Sequence, residues 1–429
     1  MNDFQRTVRP TLSIGAALLV LLSGCSSVPD AGKLPGRRAF ISYWPSAGGN
    51  GQLRLAIKDN IDVRGIVTTV GSEHFAKMNT PAVKDAACLA IARQRRVQIV
   101  GKTNLTEFAI APSGINDYFG TPVNPFSRWP KRIPGGSSCG SAVAVAWGMA
   151  DVAFGTDTAG SIRVPAACCG IVGLKTTHGL VPLAGVYPIE PAHLDTVGPM
   201  GRDIAATVQG MDLLQKGFAT KYAAAEASRP SAKGIRIARL KLIGTSAKVD
   251  DAIDSALART GFQVVTLDEN FRKSWEQAKE DGITIANMGA RLSNEQLLTQ
   301  PDISTRSKSV ILAGKLISTA GYREALSRQA AWQKTLKNIF KQVDFIALPT
   351  LQTPPPVLPF TLRVGLLETR MLKVQNTVPV NFAGNPALAV PVPLRHGSVP
   401  VTSLQLIGPL RSEAQLLNAG RLVEAAMKK

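Results

Sequence analysis

The chain has 429 residues, 45% of them hydrophobic and 18% charged, which excludes an intrinsically disordered protein and provides for a large core. A formal charge of +19 suits anionic surroundings such as nucleic acid, lipid or polysaccharide, but does not identify a small substrate. Five cysteines in so long a chain exclude a disulfide scaffold, and four histidines with no two at ligand spacing give no metal site.

In chain order, Arg6 and Arg9 precede an apolar run from Leu12 to Leu22, followed by Ser23-Gly24-Cys25. This is the charged, apolar and small-residue order of an export signal, and the run is too short to span a bilayer, which takes about 20 residues. Leu22-Ser23-Gly24-Cys25 looks like a bacterial lipobox, so residues 1–24 read as a lipoprotein signal peptide and Cys25 as the acylated first residue of the mature protein. The expected location is the cell envelope, on the periplasmic face of the outer membrane if the host has two membranes. There anionic lipid and polysaccharide, rather than nucleic acid, are the partners offered to the positive charge. Residues 25–50, punctuated by proline and glycine, read as a linker, and a catalytic domain is expected over 51–429.

The domain opens on a strand, Leu53-Arg54-Leu55-Ala56-Ile57-Lys58, whose apolar residues carry Lys58 toward a core. A helix over about 82–95 and a strand at Val97-Gln98-Ile99-Val100 follow. Two glycine-rich turns come next, 24 residues apart from serine to serine: Pro134-Gly135-Gly136-Ser137-Ser138-Cys139-Gly140-Ser141, then Gly155 to Ala166 with Ser161 inside Thr158-Ala159-Gly160-Ser161. Glycine-rich turns let backbone N–H groups converge on one point, which a developing oxyanion requires, and a serine in such a turn is a nucleophile candidate. Serine, serine and a buried lysine make a proton relay. A helix is expected from Ser138 through the Ala-Val-Ala-Val-Ala run. Residues 235–267 read as strand, helix and strand, 270–340 as helices, Phe345-Ile346-Ala347-Leu348 as a strand closing the same sheet, and about 412–427 as an amphipathic final helix. The alternation predicts an α/β fold.

These turns resemble the amidase signature family, serine hydrolases that cleave carboxamides. Further blocks agree in order: Gly101 to Ala109, Asn124-Pro125, Gly170 to Thr177, Asp195 to Met200, Ala347 to Thr350, Asn381 to Ala387 and Leu404 to Gly408, so the resemblance covers about residues 50 to 429. It implies a single large domain with a central, mostly parallel or mixed, twisted sheet covered by helices on both faces. It makes Ser161 the nucleophile, Ser137 a bridging serine after a cis peptide bond, and Lys58 the base. Backbone N–H groups of Thr158, Ala159, Gly160 and Ser161 would receive the oxyanion, and no metal or organic cofactor is called for. Burial must lower the lysine from its ordinary value near 10.4 for the relay to work near neutrality. The substrate it implies is a small carboxamide, hydrolysed to an acid plus ammonia or an amine.

Two positions depart from the usual family spelling: Ala159 stands where glycine is common, and Cys139 follows the serine pair. Asn104, Ser113, Cys139 and Arg163 are pocket candidates, with Arg163 alternatively pairing with Asp157 to brace the turn. The short segment before Lys58 leaves little room for N-terminal dimerisation helices. Three other functions stay open: a glutaminase-type subunit of a tRNA-dependent amidotransferase, an esterase using Ser138 in the Gly136-x-Ser138-x-Gly140 pattern of an α/β-hydrolase elbow, and a binding protein on a catalytically retired scaffold.

Overall fold

The structure, a computed structural model, describes residues 36, 38–45, 51–127, 131–358, 364–395 and 399–428. Residues 1–24, expected to be a signal peptide, and Cys25 lie outside them. Eleven strands are present among the described residues: β1 (Phe40–Tyr43), β2 (Arg54–Lys58), β3 (Gln98–Thr103), β4 (Val152–Asp157), β5 (Val172–Lys175), β6 (Thr196–Gly201), β7 (Arg236–Arg239), β8 (Gln263–Thr266), β9 (Phe345–Pro349), β10 (Ala387–Pro393) and β11 (Val401–Ile407). They form one sheet in the order β1-β3-β2-β4-β6-β5-β10-β11-β9-β7-β8. The sheet is mixed. Parallel pairing is confined to β2 with β3 and β4 and to β7 with β8 and β9, while the central run from β4 to β9 is antiparallel.

Strand alternation sorts the core into two layers. Leu55 and Ile57 of β2 join Phe154 of β4 on one face, and Ala56 and Ala153 join the helix Cys139–Ala146 through Val143 on the other. Lys58 has the parity of Ala56, so its side chain belongs to the face carrying that helix. Because β2 and β4 are parallel neighbours, Lys58 and the turn after Asp157 emerge at the same edge of the sheet, the edge where α/β sheets commonly hold ligands.

Two expectations are corrected. The linker predicted to reach residue 50 is shorter, because Phe40–Tyr43 pairs antiparallel with β3 and so belongs to the sheet. The helix predicted over 82–95 is a 3₁₀ turn at Ala87–Leu89 running into a short α-helix, Ala90–Gln94. The strand, helix and strand over 235–267, the helices that follow, β9 and the last helix, Glu413–Lys428, match the expected pattern.

Candidate active site

Lys58 is fully buried, and its Nζ lies 2.7 Å from Ser137 Oγ and 2.7 Å from Thr156 Oγ1. Asn60 Nδ2 donates to the same threonine hydroxyl at 3.1 Å and fixes it. Burial lowers Lys58 to about 7, against the opposing pull of Cys139, Asp157 and Asp195. Near neutral pH a large fraction is therefore free amine, which accepts a proton from a hydroxyl. The peptide bond between Gly136 and Ser137 is cis.

A low pKa alone does not single out this lysine. Lys175 is also brought to about 7, first by burial and then by Arg163, but its Nζ donates to the carbonyls of Thr176 and Asn385, at 3.0 and 2.8 Å. Lys102 is paired with Asp59 at 2.7 Å. Of these three buried lysines, Lys58 is the one in contact with a serine.

Ser161 is half-buried and follows β4 in the turn 158–161, which lines a cleft of about 870 Å³ together with Gly136. The turn is held from inside by Asp157. Its carboxylate accepts the N–H of Gly160 at 2.8 Å and of Ile162 at 3.1 Å, and pairs with Arg163 through Nε and Nη2. Burial would raise Asp157, but Arg163 overcomes it and holds the carboxyl down at about 2. Gly160 has φ +132°, and a Cβ there would lie 2.2 Å from Thr377 Oγ1, so glycine is required. Ala159 keeps a negative φ, and its carbonyl accepts from Thr377 Oγ1 at 2.6 Å and Gln375 Nε2 at 3.3 Å. Alanine in place of glycine therefore carries no backbone strain.

One N–H of the expected oxyanion set is already engaged within the turn. The Gly160 N–H is directed to Asp157, whereas those of Thr158, Ala159 and Ser161 are not.

The four pocket candidates are all fully buried and none lines the cleft. Asn104 donates to the carbonyls of Arg38 and Gly120 and accepts from Leu105 N–H, which ties loops together. Ser113 Oγ donates to Glu368 at 2.5 Å, with Glu368 between it and the cleft. Cys139 begins the helix Cys139–Ala146, its thiol pushed up to about 12 by burial. Arg163 is consumed by Asp157, Thr377, Asn381 and Gln405, leaving no donor for an acidic substrate. The cleft is instead mainly apolar, with Ile110, Ile115, Ile189, Val310 and Leu372 on its walls. Its polar wall is Arg306, which pairs with Asp117 at 3.1 Å and Glu368 at 3.4 Å. Sequence reasoning missed this wall, because its residues lie on separate helices and loops with no shared motif.

Ser138 immediately precedes the helix Cys139–Ala146, and its Oγ donates to the Thr156 carbonyl at 3.3 Å. Its hydroxyl is directed to backbone and not to a base. The elbow reading therefore loses its nucleophile, whereas the lysine contact lies on Ser137.

The geometry agrees with comparisons to known proteins. Residues 53–417 match the Amidase family model. The chain is 32% identical over 397 residues to 2-amino-5-chloromuconic acid deaminase of Comamonas testosteroni, covering 87% of this chain and 81% of that protein. It is 33% identical over 411 residues to a glutamyl-tRNA(Gln) amidotransferase subunit of Natronomonas pharaonis, covering 85% and 93%. A crystal structure of an amidase superposes with TM-score 0.72 at 26% identity, covering 87% of this chain and 84% of that one. With the paired serine turns, the buried lysine and a family match across most of its length, the chain belongs to the amidase signature family and is an amide-hydrolysing enzyme.

Proposed function

We propose that the enzyme hydrolyses a small carboxamide through an acyl-enzyme on Ser161. The observation that carries this is the 2.7 Å contact between buried Lys58 and Ser137, at the edge of the sheet where Ser161 enters the cleft. In the forward step Ser161 Oγ attacks the amide carbon, Ser137 takes its proton and passes its own to neutral Lys58, and the oxyanion receives backbone N–H groups. The proton then returns through Ser137 to the leaving nitrogen, the C–N bond breaks, and ammonia or an amine departs. Water attacks the ester by the same path, giving a carboxylic acid and free Ser161. The mainly apolar cleft favours an acyl group with substantial hydrocarbon surface. A library of aliphatic, aryl and peptide C-terminal amides, scored by released ammonia or amine, tests the reading: at least one member is expected to turn over, and Ser161→Ala to abolish that turnover. Hydrolysis surviving in Ser161→Ala sinks it.

A second reading, the amide-hydrolysing component of a tRNA-dependent amidotransferase, is favoured by similarity to amidotransferase subunits. Location separates the two. The sequence order ending at Cys25 supports an envelope lipoprotein, held there by multiple acyl chains at about 0.8 kcal/mol per buried CH₂. Native protein is expected in the membrane fraction, lacking residues 1–24 and carrying lipid mass on Cys25, with Cys25→Ala losing the lipid and keeping catalysis. Cytosolic protein retaining Met1 would overturn the envelope assignment and favour the amidotransferase.

A further inference from the structure

Asp195 immediately precedes β6, is buried, and bridges two parts of the site. Its Oδ1 accepts the Thr158 hydroxyl at 2.7 Å, and its Oδ2 accepts the N–H groups of Ile189 at 2.9 Å and Glu190 at 3.0 Å. Thr158 is the first residue of the turn that ends at Ser161, and Ile189 is on the cleft wall. Burial raises the Asp195 carboxyl above its ordinary value, against the opposing hydrogen bonds of Thr158, Ile189 and Glu190. Asp157 braces the turn from within through Gly160 and Ile162, and Asp195 is its only carboxylate partner at Thr158 among the described residues.

We infer that Asp195 is a positioning residue for amide hydrolysis: by anchoring Thr158 to the cleft wall it fixes the direction of the turn's N–H groups toward the substrate oxygen. The inference rests on Ser161 being the nucleophile. An oxyanion hole works because its donors are already oriented, so loss of a brace lowers reactivity without removing any reacting atom.

Asp195 also lies close enough to Lys58 to raise its proton affinity, as do Cys139 and Asp157. Facing Asp195 itself are Glu190, which burial and Asp195 together push up to about 7, and His178. Where Asp195 is charged, Asp195→Asn is expected to lower the Lys58 pKa and move the acid limb of the pH profile to lower pH, while deleting the Thr158 hydroxyl keeps the carboxylate and is expected to leave that limb in place. A purely structural role would not divide the two variants in this way.

The test is the second-order rate of Ser161 labelling by a fluorophosphonate across pH, with full-length protein, in wild type, Asp195→Asn, Thr158→Val and the double variant. Asp195→Asn and Thr158→Val are each expected to slow labelling by about 10- to 100-fold, with the double variant no slower than the slower single because both break one link. Asp195→Asn alone shifts the acid limb. Labelling of both single variants at the wild-type rate overturns the inference, as does full additivity in the double. If Asp195→Asn does not fold, Thr158→Val carries the decision by its rate alone. Wild-type protein that labels elsewhere than Ser161 refutes the nucleophile assignment, a different failure from equal labelling of all four proteins.

Discussion

Ser161→Ala is expected to lower kcat by about three to six orders of magnitude while leaving the thermal unfolding temperature close to wild type, because removing the nucleophile of a concerted relay costs nearly as much as removing the whole relay. The substitution deletes one half-buried hydroxyl, whereas the turn around it is held by Asp157, Arg163 and Thr377, none of which bonds the Ser161 side chain. Mass spectrometry after fluorophosphonate treatment places the adduct on Ser161. An adduct on Ser138 would instead revive the elbow mechanism, against the direction of its hydroxyl to the Thr156 carbonyl.

Lys58→Ala removes the proton acceptor and is expected to reduce kcat by several orders of magnitude, comparable to other relay members. The wild-type pH profile carries the sign. Burial lowers Lys58 to about 7, so the amine is free above that value and protonated below it, and kcat/KM falls as pH drops through about 7. In Lys58→Ala that limb disappears and the remaining rate climbs at alkaline pH, where hydroxide substitutes for the base. A variant with near-normal kcat/KM at pH 7 would show that Lys58 is not the base. Lys175 provides a control, since its depressed pKa is accompanied by contacts to backbone carbonyls and not to a serine.

The candidates for the proposed relay were legible in the sequence because each sits at a local signal: Lys58 ends an apolar strand, and Ser137 and Ser161 lie in glycine turns; the structure adds the contact between Lys58 and Ser137. The pocket was not. Ser113 reads as a cleft residue until Glu368, 255 residues away, is seen to lie against it. Arg163 could be read in sequence as a substrate anchor as well as the favoured brace on Asp157, and only the structure shows Asn381 and Gln405 taking its remaining donors. β1 was hidden for a related reason: its four residues are all half-buried, with no alternation to mark a strand, and pairing with β3 alone defines it. Asp195, Asn381 and Gln405 did fall in the family-like blocks, but a block gives no direction for a side chain.

The contacts of Arg163 also set an order of events during synthesis. The residues that lock the catalytic turn, Thr377, Asn381 and Gln405, lie 214 to 242 positions downstream of the arginine they hold. At about 5–20 residues per second, they leave the ribosome on the order of tens of seconds after Ser161. Until then Asp157 and Arg163 lack the neighbours that fix them, and a shortened polypeptide carrying Lys58, Ser137 and Ser161 but ending before Thr377 would hold the three proposed relay side chains without the contacts that lock the turn. Closing contacts over such sequence separations is slow compared with local folding. The turn is therefore expected to be fully braced only once the last strands, β10 and β11, are laid into the middle of the sheet.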